Sequence, residues 1–264
     1  MPEHAPSALA RPAFRWPVLL LTALALLLLQ PAYAQLYASV SELMDAVNAR
    51  PEPITTQATL HMTITLGSGQ SLSRELQMWA AGTERRLIKF TAPADIAGSG
   101  FLQIDGGGGT QTLVYLPALG RTRRIAGGQQ GDSFFGSDFS YEDITGIEPE
   151  DYTHTLLEVR GGTLYVVEAV PTPESGSSYD RLVLEVPEDT LVPQRAEYYR
   201  DERLVKVLTV AELSQVGDYL IPGERRMETI SDGNVTSYTV LTQTDVTLDE
   251  ELPAELFTER YLAR

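Results

Sequence analysis

The sequence predicts a mainly β protein with short helices, an α+β chain whose strands form one long antiparallel meander. Three observations carry that reading. About a dozen segments alternate apolar and polar residues with period two. Turn residues sit between them, with almost no room for crossover helices, so neighbours are antiparallel. A long meander curls to bury its inner face, and residues 35–264 have the length of one sandwich or barrel domain, or of two small ones; the uninterrupted run of strands favours one.

The amino terminus comes first and stands apart. Arg11 and Arg15 are followed by an unbroken apolar run, Pro17–Leu29, then Pro31 and the small-residue pattern Ala32-Tyr33-Ala34. That order predicts a cleavable secretory signal over residues 1–34. The alternative is an uncleaved anchor, but the run of thirteen residues falls short of the roughly 20 that a spanning helix needs. Pro31 would also end a helix just before the cleavage site. No adjacent arginine pair marks a twin-arginine route, so a Sec-type path to the periplasm is expected.

Composition excludes several classes. There is no cysteine, hence no disulfide, no thiol chemistry, no Cys-held metal and no cysteine to lipidate at the signal junction. The net charge is −16; loss of residues 1–34, with Arg11, Arg15 and Glu3, leaves −17. So acidic a chain repels nucleic acid and anionic lipid surfaces, and nucleic-acid binding is not expected.

Along the remaining chain, Leu36, Val40, Leu43, Met44 and Val47 mark one apolar face of a helix over Leu36–Arg50. Ser39 or Ser41 caps it, and Pro51 and Pro53 stop it. Leu60, Met62, Ile64 and Leu66 then alternate with Thr59, His61, Thr63 and Thr65, which is a half-buried strand. Gly67-Ser68-Gly69 turns into Arg74–Ala80, and Gly82 turns into Glu84–Thr91, where Ile88 and Phe90 share a face. Further strands are expected at 100–105, 111–116, 121–126, 153–159, 163–170, 180–186, 193–200, 203–213, 219–230 and 234–245. Gly106–Gly109, Gly161-Gly162, Asp201-Glu202 and Asp232-Gly233-Asn234 stand at hairpin positions. Pro253–Tyr261 reads as a short closing helix. Trp79 lies opposite Leu76 and Met78, so either it covers the outer face, beneath the first helix, or its strand is bulged.

Catalytic and metal chemistry finds little to stand on. His4 leaves with the signal, and His61 and His154 read as surface residues without a second ligand at metal spacing. There is no Gly-x-Ser-x-Gly and no His-Glu-x-x-His, and the glycine run lacks the Lys-Ser/Thr of a phosphate loop. Carboxylates such as Glu142 and Asp143 read as solvated surface. The chain is therefore read as a non-enzyme with no cofactor and no metal.

The segment Gly127–Glu150 breaks the pattern, being too long for a hairpin loop and too apolar for a linker. Arg121, Arg123 and Arg124 precede it, and Phe134, Phe135, Asp138, Phe139, Tyr141, Glu142 and Asp143 lie within it. Two readings stay open. In one, the arginines clasp the acidic segment, Asp138 included, while its aromatics cover a core edge. In the other, the arginines take an acidic head group and the aromatics an acyl chain.

Arg86–Phe90 (RLIKF), Pro93–Asp95 (PAD), Gly98–Gly100 (GSG), Val114–Pro117 (VYLP), Arg121–Ile125 (RTRRI) and above all Asp132–Asp143 (DSFFGSDFSYED) resemble the outer-membrane lipoprotein-sorting proteins, relatives of the carrier LolA that include the treponemal LolA-like group. The resemblance covers most of residues 35–264 and is weakest across 171–250. It implies an unclosed half-barrel with helices covering its concave face, a hydrophobic cavity for acyl chains, and frequent partnership with inner-membrane transporters of the resistance-nodulation-division type. Function is then expected to be periplasmic lipid or lipoprotein carriage, with Leu60, Met62, Ile64, Leu76, Met78, Ile88, Phe90, Leu102 and Ile104 lining the cavity and Phe135, Phe139 and Tyr141 at its rim. The alternative is a lipid-sensing or structural module bound to a transporter or signalling protein.

Overall fold

A computed structural model describes residues 36–106, 109–146 and 149–264. The expected export signal lies outside these residues, as do Gly107 and Gly108 of the glycine turn.

The described residues hold a 13-stranded antiparallel sheet. Its first half is β1 (Thr55–Thr65), β2 (Ser71–Ala81), β3 (Arg85–Ala92), β4 (Gly100–Gly106), β5 (Gly109–Leu116) and β6 (Arg121–Ile125). Its second half is β7 (Tyr152–Arg160), β8 (Leu164–Pro171), β9 (Arg181–Pro187), β10 (Arg195–Arg200), β11 (Arg203–Val216), β12 (Tyr219–Ser231) and β13 (Asn234–Leu248). In space the order is β6-β5-β4-β3-β2-β1-β13-β12-β11-β10-β9-β8-β7. The expected single meander is thus two meanders joined where β1 pairs with β13. Consecutive strands β6 and β7 form opposite edges and do not pair, so the barrel is unclosed. The long segment between them must cross from one edge to the other. That crossing is why it could not be a hairpin loop, and why it carries apolar residues.

Cross-strand registers sort the side chains into two faces. One row runs Ala58–Met78–Ile88–Phe101–Val114; the next runs Trp79–Leu87–Leu102–Leu113 on the other side. The first row belongs to a large cluster that also holds Tyr165, Val167, Leu182, Leu184, Tyr198 and Met227 from the second half. Residues far apart in sheet order meet there, so this face is the inside of the curl. The second row belongs to a smaller cluster that contains only the first half and the carboxyl terminus; it is the outside.

Three short α-helices complete the described fold. Helix α1 spans Val40–Asn48 and buries Leu43, Met44 and Val47 in the inner cluster. Ser39 caps it, its Oγ accepting from Glu42 N at 3.2 Å. The cap starts the helix four residues later than the apolar spacing suggested, and Leu36 is left exposed. Helix α2, Tyr141–Thr145, is one turn with a capping box between Ser140 and Asp143. The closing element is a 3₁₀ turn, Ala254–Phe257, followed by α3, Glu259–Leu262. It packs Leu256, Phe257 and Leu262 on the outer row, over Trp79, Leu87 and Leu102.

Candidate functional site: the curled interior and its cover

The candidate site is the inner face of the sheet beneath α1 and the crossing segment. Leu60, Leu76 and Phe90 form one inward row across β1, β2 and β3. Met62, Ile64, Met78 and Ile88 share that face, and all seven join the inner cluster. Leu102 and Ile104 do not. They stand in or against the outer cluster, beneath the closing helix, while Phe101 and Gln103 take the inward positions. The reason is physical: β4 is buried on both faces, so its alternation marks two apolar sides and does not say which is inner.

The crossing segment fills the interior with aromatic rings. Phe134 is fully buried, and Phe139 and Tyr141 are nearly so. Phe139 and Tyr141 are thus core, not rim as expected; of the three expected rim residues only Phe135 is half-exposed. Phe134 meets Phe101 edge-on with centroids 5.6 Å apart, and Phe135 lies 4.6 Å from Phe90. Phe135 sits at φ 50°, a left-handed backbone that a bulky residue holds only when its surroundings fix it. One cavity, of about 160 Å³, is lined by Glu142, Asp143, Gly146, Tyr152, Tyr179, Tyr198 and Leu208. Ligand pockets run to roughly 300–1,000 Å³, so this cavity takes an acyl ligand only if the cover beside it yields.

Polar contacts hold this cover at several points. Asp138 is buried and its carboxylate accepts from Thr229 Oγ1 and Thr239 Oγ1, each at 2.6 Å, and from Ser237 Oγ. Asp143 accepts from Lys206 Nζ at 2.8 Å and from the Tyr179 hydroxyl at 2.9 Å. Burial, then the Asp143 charge, pushes the Tyr179 hydroxyl far above its usual range, so it remains a donor. Glu142 accepts from Ser177 Oγ and from Ser178 N and Oγ. Two inward arginines complete the set: Arg74 donates to the Phe135 carbonyl, and Arg86 to those of Ile144 and Thr145.

The clasp therefore exists but uses other partners than Arg121, Arg123 and Arg124. Those three are exposed on the edge strand β6 and form no ion pair with the segment among the described residues. Asp138 takes hydroxyls on β12 and β13 instead. Hydroxyl-bearing residues on a half-polar strand give no sign in sequence that they serve a loop 91 to 101 residues away.

A third inward arginine, Arg225, lies on β12 beside Leu241 and two residues from the fully buried Met227. Burial, and then the charge of Arg86, pushes its guanidinium down to about 10, so it stays charged at neutral pH. Gln103 is buried beside Arg86 across the β3–β4 ladder, and its Oε1 has no partner; Asp105 Oδ1, on the same side of β4, has none either. His154, expected at the surface, is half-buried on the inward side of β7, whereas His61 is exposed. No group of three His, Asp or Glu that could hold a metal occurs among the described residues. No helix among them is long and apolar enough to cross a membrane.

Comparison with known proteins places this architecture. A family model described only as "-like: Uncharacterized protein" matches residues 82–264. No curated protein matches the chain. Among solved structures, a DUF1329 family protein from Desulfovibrio piger is 28% identical with a TM-score of 0.77, covering 84% of this chain and 96% of its own. A putative outer membrane lipoprotein-sorting protein domain from Vibrio parahaemolyticus is 28% identical with a TM-score of 0.76, covering 84% and 97%. A LolA superfamily protein from Nitrosomonas europaea, 21% identical with a TM-score of 0.69 and coverage of 85% and 100%, shares the fold. The family model spans well over half of the chain, so the chain belongs to the family that model describes, and its fold is the LolA-like unclosed barrel.

Proposed function

We propose that the protein is a periplasmic carrier of lipids or acylated proteins, which holds acyl chains against the inner face of its sheet. One observation carries this reading. The inner face is apolar from both halves of the sheet, and what covers it is a helix and a crossing segment rather than more sheet. Phe134 and Phe135 lie against Phe90, so displacing them would open the inner cluster that also holds Leu60, Met62, Leu76 and Ile88. An acyl chain placed there gains about 0.8 kcal/mol per buried CH₂, and no catalytic group is needed. A ligand that binds only the uncovered form shifts the population toward it. The sorting function named for the Vibrio relative supports the same reading. The export signal expected over residues 1–34 would deliver the protein to the periplasm. Its acidic charge suits docking on a basic surface of a donor or acceptor, such as an inner-membrane transporter.

Native mass spectrometry of protein purified from an exporting cell tests this. Co-purified lipid, or saturable binding of a fluorescent fatty acid, is expected. Protein that carries no lipid and binds no probe, yet retains a stable membrane partner, supports a sensing or structural module instead.

A further inference from the structure

Three arginines within four residues, Arg121, Arg123 and Arg124, stand on the free edge strand β6 of a chain whose net charge is −16. All three are exposed, and none has a hydrogen bond or an ion pair among the described residues. The β5–β6 register divides them. Arg123 pairs with Val114 and Arg121 with Leu116, which belong to or pack against the inner cluster. Arg124 pairs with Leu113 of the outer cluster. Alternation along the strand therefore puts two guanidinium groups on the inward side of this rim and one on the outward side.

A second observation ties the inward pair to the cover. Arg123 ends the row that runs through Phe101 and Val114, and the Phe101 ring stacks on Tyr141 of the crossing segment with centroids 6.1 Å apart. Burial pushes the Tyr141 hydroxyl up, the Arg123 charge pulls against it, and the exposed Asp132 acts the other way. The remaining acids of the cover already have partners: Asp138 takes hydroxyls, Glu142 takes Ser177 and Ser178, and Asp143 takes Lys206 and Tyr179. The segment thus leaves the inward pair unused. A ligand whose tail lies against Phe90, Phe101 and Val114 can leave a charged head at this rim, in reach of water, since burying that charge would cost far more.

We infer that Arg121 and Arg123 receive the anionic head, a carboxylate or phosphate, of an acyl-chain ligand whose tail lies in the interior. The inference rests on the carrier reading and names the ligand's chemistry: an amphiphile with a negatively charged head, held at the β6 rim, in preference to a neutral one. Guanidinium groups take such oxyanions in paired, charge-assisted hydrogen bonds. Charged residues on an edge strand also keep other strands from pairing with it. That role alone draws no line between Arg123 and Arg124 and predicts no preference among ligands.

The test compares a fluorescent fatty acid with its methyl ester on the full chain. The acid is expected to bind about five-fold tighter than the ester, the scale that two exposed charge contacts allow. Arg121→Gln and Arg123→Gln together should bring the two probes within about two-fold by weakening the acid alone. Arg124→Gln removes an equal charge one residue away on the other face and should keep the preference. All three side chains are exposed, so these variants should fold as the wild type does. Equal binding of acid and ester by the wild type, an undiminished preference in the double variant, or an equal loss in Arg124→Gln overturns the head-group assignment and leaves the carrier reading standing. Binding of neither probe overturns both. Inorganic phosphate alone separates the sources: thermal stabilisation as large as the acid's, and lost in the double variant, would assign the pair to a free anion and overturn the amphiphile.

Discussion

Asp138 and Thr239 hold each other by two reciprocal hydrogen bonds across 101 residues of chain. The Asp138 backbone N–H donates to Thr239 Oγ1 at 3.0 Å, and the same hydroxyl donates to the Asp138 carboxylate at 2.6 Å. Thr239 is fully buried on the inner face of β13, so the pair anchors the cover to the middle of the sheet. Thr239→Val keeps the shape and removes both bonds. It should lower stability by about 1–3 kcal/mol in urea unfolding, because the buried Asp138 groups lose a partner. The amides of residues 133–145 should also exchange faster than those of β2 and β3. Uniform exchange across the chain would show that the pair supports the fold as a whole and does not fasten the cover.

Helix α1 covers the inner face and the closing helix covers the outer one, so their variants should part company. Leu43 is fully buried, and Leu43→Ala should cost about 2–5 kcal/mol. It should also change the affinity for a fluorescent fatty acid, since the residue belongs to the same inner cluster as the acyl wall.

At Gly100 a Cβ would stand 2.7 Å from Leu262 Cδ1, 3.0 Å from Lys89 Cδ and 3.2 Å from the Ile88 carbonyl oxygen. Gly100→Ala should therefore destabilise by about 1–3 kcal/mol as the closing helix is pushed off. Leu262→Ala should lose about 2–5 kcal/mol by leaving a hole at the same place. Neither should alter probe affinity. A large change in either variant would tie the outer cluster to the ligand and contradict the two-faced assignment.

Acid sensitivity should trace in part to His154. Burial lowers its pKa below the ordinary 6.5. As pH falls through 6.5 the unfolded chain takes up the proton first, so the native state loses stability until the folded imidazole protonates as well. His154→Gln should flatten the stability curve between about pH 5 and 7. A folded-state pKa above 6.5, by NMR titration, would reverse the sign and refute this.

The strands were legible because period-two alternation and turn residues report directly on which residues lie half-buried. The edges were not. Nothing local in Arg121–Ile125 or Tyr152–Arg160 says that these neighbours in sequence end on opposite rims, since strand order is settled by the β1–β13 pairing across the whole domain. Leu102 and Ile104 show a similar limit: in a strand buried on both sides, alternation names two faces without naming the inner one. The segment 132–143 stood out by its aromatics, and these do fill the interior. Its fastening escaped notice because the eye goes to arginines near acids, whereas three hydroxyls satisfy Asp138. Arg225 and Gln103 gave no local sign, as a polar residue in a strand defaults to the solvent side.

The crossing segment joins the end of β6 to the start of β7, the two free rims of the sheet. A flap hinged on one lip could swing clear of the opening; a strap sewn to both lips cannot. It can only bow outward or slacken as the lips move, so the width of the mouth and the height of the cover form a single mechanical coordinate. Loading then becomes a contest between a ligand that spreads the rims and a strap of fixed contour length that limits how far they part. Cutting the chain within that strap, by moving the termini there, would separate the two motions without removing one ring from the cover.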